Sequence, residues 1–247
     1  MASAPEMISM SSLVIEACRE RFICRVSFLI TSPALREALS IAIDREAIKR
    51  NTMRGLSIPA GIMVAPGVNG NAPDIDVPAK VDPERAKKLL ADAGFPNGFE
   101  FQLNCPNNRY VNDEEICQNL VGMWARIGVK TKLVSESMAT FIQKVQNFDT
   151  SAYMLGWGVA TFDAQYTLQS LIRTRTTGAD GNFNFGRISE PKRDAIVDAM
   201  VLTRDEVLNI PLHHQLRPWA MKKGVSTTHR ADDRPEARFT SVNPGAN

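Results

Sequence analysis

From residue 82 to residue 157 the chain alternates between two hydrophobic periods, and this alternation constrains the fold more than any other feature of it. Asp82-Pro83-Glu84 opens the first element. Aspartate caps free N–H groups, proline already holds the helical φ, and glutamate suits the positive end of a helix dipole. Ala86, Leu89, Leu90 and Ala93 then recur at helical spacing, and Gly94 supplies a left-handed stop. After the turn Pro96-Asn97-Gly98, the residues Phe99, Phe101 and Leu103 alternate with polar neighbours, as in a half-buried strand. Ile116, Leu120, Met123 and Ile127 return to the helical period up to Gly128, and Val129, Thr131 and Leu133 alternate again. Strand, helix and strand in that order predict a βαβ unit, parallel and right-handed. A helix over 139–146 and an apolar strand over 153–157 continue the series. The expected class is α/β, a mixed sheet flanked by helices.

Upstream, Ser32-Pro33 reads as a helix start, and Leu35, Ala38, Leu39 and Ala42 form one apolar helical face. Asp44 offers a cap for a second helix over 45–53, closed by Gly55. Residues 56–81 hold Pro59, Pro66, Pro73 and Pro78 and are expected to be a long extended loop. The first 31 residues fit less well. The semi-apolar run 7–17 is broken by Arg19, Glu20 and Arg21 before an apolar stretch at 22–30 that itself contains Arg25. Charges of that kind oppose membrane insertion, so residues 1–31 are expected to be an atypical N-terminal segment without a convincing signal peptide.

Composition narrows the partners. With Lys+Arg 29 against Asp+Glu 27, the formal charge of +2 is too balanced for a nucleic-acid footprint, and no nucleic-acid partner is expected. Cys18, Cys24, Cys105 and Cys117 include no close pair of the C-x-x-C kind, which excludes a zinc ribbon or a thioredoxin-type site. The expectation for Cys105 and Cys117 is that they are plain buried thiols.

Several motifs together carry a resemblance. The run Leu35-Arg36-Glu37-Ala38-Leu39-Ser40-Ile41-Ala42-Ile43-Asp44-Arg45-Glu46-Ala47-Ile48 resembles the R-x-A-L-x-x-A-I-D-R-x-x-I run of extracytoplasmic solute-binding proteins of the oligopeptide, dipeptide and nickel type. Asp82 to Phe95 is similar to their D-P-x-x-A-x-x-L-L-x-x-A-G helix, and the same Pro-Asn-Gly-Phe turn follows. Gly156-Trp157-Gly158 resembles the strand end bordering their ligand cleft, and Ile210-Pro211-Leu212 with Trp219-Ala220 resembles their C-terminal return. The resemblance spans roughly residues 32 to 230, in the family's order. It implies a periplasmic, non-catalytic subunit of an ABC importer, in which two lobes close over a peptide or other small solute and deliver it to a membrane permease. It also implies that residues 32–247 correspond to the C-terminal lobe, that a preceding first lobe is absent, and that an internal deletion lies near 204–209.

The same resemblance singles out candidate site residues. An acidic residue shortly after the Gly-Trp strand end pairs with the ligand's α-amino group in the family, which points to Trp157 and Asp163, with Tyr166 one turn further on. The plainer alternative is that Asp163 caps a helix over 164–171 while Trp157 and Tyr166 fill core. Other chemistry is thinly supported. His213 and His214 adjoin on a strand and point to opposite faces, and His229 stands alone, so no metal is expected. No G-x-S-x-G elbow is present, and Gly178, Gly181 and Gly186 do not match a phosphate loop, so no cofactor is expected. Arg173, Arg175 and Arg187 are either a basic patch for an anion or solvated loop residues, the latter being favoured. Asp113, Glu114 and Glu115 suit the start of the Ile116 helix. Two other functions stay open at this stage: a truncated remnant that binds nothing, and a hydrolase on an α/β scaffold. A lobe without its partner would also expose apolar surface and self-associate.

Overall fold

The computed structural model describes residues 7–15, 32–159, 161–195, 209–216, 225–227 and 240–242. In chain order the strands are β1 (Met7–Ile15), β2 (Ser57–Pro59), β3 (Glu100–Pro106), β4 (Lys130–Glu136), β5 (Ala152–Trp157), β6 (Asn209–Leu216), β7 (Val225–Thr227) and β8 (Thr240–Val242). The helices are α1 (Pro33–Ile41), α2 (Arg45–Ala47), α3 (Pro83–Asp92), α4 (Asp113–Ala125), α5 (Met138–Gln146), α6 (Ala164–Thr167) and α7 (Pro191–Ala195). Strands β1 to β6 form one sheet in the order β2-β6-β1-β5-β3-β4, while β7 and β8 pair with each other. The predicted βαβ unit is present: β3 and β4 run parallel across α4, with Leu103 opposite Leu133. Strand β3 is also parallel to β5, whereas β1 pairs antiparallel with both β5 and β6. The sheet is therefore mixed, as expected.

The helix signals act through the atoms they imply. The Asp82 carboxylate accepts from the Arg85 N–H at 2.9 Å, and that of Asp44 accepts from Ala47 at 2.8 Å. Ser32 differs: its side chain makes no cap bond, and its carbonyl instead accepts the Arg36 N–H at 3.1 Å. Gly98 is required in the turn before β3. Its φ is +72°, and a Cβ there would collide with the Gly128 carbonyl. Next to the Asp44 cap, the buried Arg45 guanidinium donates to the Ser40 carbonyl at 3.2 Å and to the Ser40 hydroxyl at 3.1 Å. Burial pulls its pKa down to about 10.

The two faces of the sheet are covered differently. On one, Phe101, Leu103 and Met154 pack with Leu35, Leu39, Leu90, Ile116, Leu120 and Trp124 of α1, α3 and α4. The Trp124 indole N–H donates to the Leu39 carbonyl at 3.0 Å, so this buried ring leaves no polar atom unpaired. On the other face Tyr153 and Leu155 meet Phe141 and Val145 of α5, together with Phe185.

Five expectations need correction or extension. Cys105 and Cys117 are not free thiols but a disulfide, with Cα atoms 6.7 Å apart. Helix α4 folds back onto β3, so two cysteines twelve residues apart become neighbours that no local spacing rule detects. The helix expected over 45–53 is α-helical only in α2 and continues as a π turn, Ile48–Thr52. The helix expected over 164–171 likewise passes from α6 into a π turn, Leu168–Ile172. There the Gln169 and Ser170 carbonyls accept the N–H groups of Gly181 and Phe183, at 2.8 and 2.9 Å, which widens the helical ladder. The loop 56–81 contains strand β2 and buries Ile62, Val64 and Val68, because Asp76 Oδ1 accepts from the Gly61 and Ile62 N–H groups at 2.7 and 3.2 Å. Finally, part of the N-terminal segment supplies the interior strand β1. Cys18, Cys24, Trp219, Ala220, His229 and the interval 204–208 lie outside the described residues.

Among the described residues, no helix is long and apolar enough to cross a membrane. The disulfide closes a loop of twelve residues' separation. In the chain-entropy picture such a closure contributes about 3 kcal/mol. Cys105→Ala/Cys117→Ala is expected to lower the unfolding free energy by about that amount in urea titrations followed by circular dichroism; an unchanged midpoint would refute a stabilising role.

Candidate functional site

Strands β3, β4 and β5 all point their C-terminal ends the same way, so the segments leaving Pro106, Glu136 and Trp157 gather at one edge of the sheet. In open α/β sheets that edge is where ligands sit, above all where neighbouring connections diverge. Strand β5 is such a point, because it is parallel to β3 on one side and antiparallel to β1 on the other.

The sequence candidates meet there. Trp157, the last residue of β5, is 8% exposed, and its indole N–H donates to Thr167 Oγ1 at 3.1 Å. The Tyr166 ring stacks on it with centroids 5.2 Å apart and planes at 19°. Phe183, which is 38% exposed, meets the Trp157 ring edge-on at 5.0 Å. Each such pair adds about 0.5–1.5 kcal/mol beyond simple burial, so the wall is stiff. Trp157 therefore fills core, as the plainer alternative has it, and also anchors a run of rings that ends in the water-exposed Phe183.

Asp163 is the N-cap of α6, accepting from the Gln165 N–H at 2.8 Å. It has a second partner that local sequence gave no reason to expect. Asn69 Nδ2 donates to its other oxygen at 2.7 Å, across a separation of 94 residues. The backbone supports this join, since the Asn69 N–H donates to the Phe162 carbonyl and the Asn69 carbonyl accepts from Ala164, both at 2.9 Å. Gly70, with φ +84°, leaves room for the approach; a Cβ there would stand 2.8 Å from that of Ala164. The Gln165 N–H first, and then the Asn69 amide, hold the Asp163 carboxyl below the usual carboxylate range. The group is ionised, oriented and in contact with water.

A second rim lies beside Gly156, one residue before Trp157. The Tyr110 hydroxyl donates to the Gly156 carbonyl at 3.4 Å, and any Cβ on Gly156 would run into the Tyr110 ring. Burial raises the Tyr110 phenol above its ordinary pKa. The Arg109 guanidinium lies over that ring, 5.4 Å from its centroid. The N–H groups of Arg109 and Tyr110 both donate to Asp113 Oδ2 at 3.0 Å. Asp113 does stand in the first turn of α4, yet its carboxylate also fixes the loop that bears a cation.

Other candidates do not join this site. Arg173 pairs with Asp180 at 3.6 Å, Arg175 donates to the Asn182 carbonyl at 2.8 Å, and Arg187 stacks on Phe148 at 4.0 Å. All three are exposed, as expected of loop arginines, but each has its own contact. In β6, His213 stands opposite Ser11 of β1 and Pro59 of β2, and His214 opposite Met10 and Ile58. Among the described residues, no group of three or more His, Cys, Asp or Glu side chains is placed to hold a metal. The β5 edge thus carries a fixed carboxylate beside an aromatic wall, and, around Gly156, a ring with a guanidinium over it.

Comparisons with known proteins bear on the family and the fold. Residues 27–178 match the family described as Bacterial extracellular solute-binding proteins, family 5 Middle. Heme-binding protein A of Haemophilus influenzae is 31% identical over 180 residues, which are 70% of this chain and 31% of that protein. The dipeptide-binding protein of Escherichia coli K12 is 28% identical over 126 residues, 50% of this chain and 23% of that one. Among solved structures, HbpA2 of Haemophilus parasuis superposes with a TM-score of 0.78 at 22% identity, covering 96% of this chain and 49% of its own. The chain therefore spans about a third or less of these curated relatives and about half of that structure.

The Asn69 contact has a measurable consequence. Asn69→Ala is expected to raise the Asp163 pKa towards the usual carboxylate value, read by carbon-detected NMR titration. Because the folded pKa lies below the unfolded one, the stabilisation that Asp163 contributes is present at neutral pH and is lost as pH falls through the folded pKa. A titration identical to that of the parent chain would show that the bond does not form in solution.

Proposed function

This chain belongs to the bacterial extracellular solute-binding proteins, family 5, and we propose that it forms one lobe of a peptide-class binder that delivers its ligand to an ABC permease. The observation that carries the proposal is the Asp163 carboxylate, held by Gln165 and Asn69 beside the Trp157–Tyr166 stack. A peptide's free α-amino group meets Asp163, its first side chain lies against the aromatic wall, and Arg109 stands ready for an anionic group. That one relative bears the name dipeptide-binding protein supports this solute class. The action is capture without catalysis: a second lobe closes over the ligand, and the closed form docks on the permease.

In this proposal residues 32–247, completed by strand β1 from the N-terminal segment, form the C-terminal lobe. A match of nearly the whole chain to about half of a related structure supports reading it as one lobe of a larger protein. An extracytoplasmic, oxidising location is supported by the family and by the Cys105–Cys117 disulfide, a bond that reducing compartments do not maintain. Lobe surface left open to water favours self-association, and Val77, Val111 and Phe183 are apolar residues at 64%, 51% and 38% exposure. Multi-angle light scattering is expected to show dimers or larger species whose share grows with concentration; a monodisperse monomer throughout would refute this.

Isothermal titration tests the ligand. Dipeptides with free amino termini are expected to bind, and their N-acetylated forms to bind at least about tenfold more weakly, since a charge-assisted hydrogen bond contributes roughly 1.5–3 kcal/mol. Asp163→Asn should erase that difference, and Trp157→Ala should weaken both forms alike. If neither this chain nor a version preceded by a relative's first lobe binds any peptide, the peptide assignment fails.

A further inference from the structure

We propose that the Cys105–Cys117 disulfide is the positioning element for the Arg109–Tyr110 rim: it sets the register of α4 against β3 and thereby holds Tyr110 on Gly156. The proposal deepens the binding function above and rests on it only for its consequence for ligand.

Cys105 is the penultimate residue of β3, and Cys117 lies one turn into α4, four residues beyond Asp113. Both are fully buried. Everything between them is rim. Arg109 and Tyr110 have no regular structure, and their N–H groups depend on Asp113, a residue of the same helix that Cys117 anchors. Any slide of α4 along the sheet would carry Asp113, and with it Arg109 and Tyr110, past Gly156. The Tyr110 ring occupies the space that a Gly156 side chain would need, so this contact exists in only one register. Asn112, at the start of α4, has φ +57° and makes no side-chain cap bond; its Nδ2 donates instead to the Thr52 carbonyl at 2.7 Å, which ties the helix start to the 48–52 turn and not to β3 or β5. The Asp113 carboxylate is itself buried, so the loop it holds goes wherever α4 places that residue. Among the described residues, the disulfide is the one covalent cross-link between α4 and the sheet beyond the main chain itself.

The test uses the native chain, the chain reduced with dithiothreitol, and Cys105→Ala/Cys117→Ala. In the reduction, two electrons and two protons pass from the dithiol to the Sγ–Sγ bond, giving two thiols and the cyclic disulfide of the reagent. Circular dichroism selects a temperature at which every form is folded. Trypsin cleavage after Arg109 is then followed by mass spectrometry, with cleavage after the exposed Arg126 as the internal reference. Without the disulfide, cleavage after Arg109 is expected to rise at least about tenfold relative to Arg126, and the Tyr110 phenol to titrate closer to its ordinary value. Asp113→Asn, with the disulfide intact, should release the loop less. A ratio unchanged by loss of the disulfide would overturn the proposal, as would equal acceleration at both sites, which marks global loosening. Thermal shifts with the dipeptide Ala-Phe should shrink in parallel with loop release. If the loop loosens while even the native chain shows no shift with Ala-Phe, the positioning role stands and the peptide assignment is what fails.

Discussion

The structure depends on strand β5, and on the fact that its two neighbours run in opposite directions. Residues Ala152 to Leu155 are buried on both faces, so each of them must satisfy packing on one side or the other of the sheet. Met154 faces the core formed by α1, α3 and α4, while Tyr153 and Leu155 face α5 and Phe185. That two-sided burial suits a parallel interior strand, and it fixes register because a slip of one residue would exchange the two sets of side chains. With register fixed, the strand has one place to end, and Trp157 stands there.

The site follows from that ending. The segments leaving β3 and β5 diverge around Gly156 and Trp157, and each brings a charged group to the same edge. On one side, Asp163 is tied to the 61–70 loop through Asn69. On the other, Arg109 is tied to α4 through Asp113. A run of ring contacts links the two ends of the face: Phe141 to Tyr153, Tyr153 to Phe185, Phe185 to Phe183, Phe183 to Trp157 and Trp157 to Tyr166. The aromatic wall at the β5 edge is therefore continuous with the core, and its rigidity comes from the core. Preorganisation of that kind favours recognition, because less side-chain freedom is lost on binding.

Much of the fold was legible in the chain itself, because it is encoded in short-range terms. The caps at Asp44 and Asp82, the stops at Gly94 and Gly128 and the alternation of Phe101 and Leu103 act within one turn or one strand pair. The misses share a different character. The disulfide, the Asn69–Asp163 bond and the Tyr110–Gly156 contact join residues separated by 12, 94 and 46 positions. No local period records them. The π turn at 168–172 belongs with them, since its carbonyls accept from a segment more than ten residues further along.

What the sequence by itself determined is the order of elements, the α/β class, and the candidate residues at the end of β5, namely Trp157, Asp163 and Tyr166. Each of these is readable from spacing or from a family's motif. Tertiary structure alone decided what those residues have as partners. Asp163 proved to be both a helix cap and a held carboxylate, Trp157 both core and wall, and Cys105 and Cys117 a bond instead of two thiols. The physical reason is that a cap, a period or a turn is satisfied by its neighbours in the chain. An orienting hydrogen bond or a disulfide needs a second atom that only the folded sheet brings within reach.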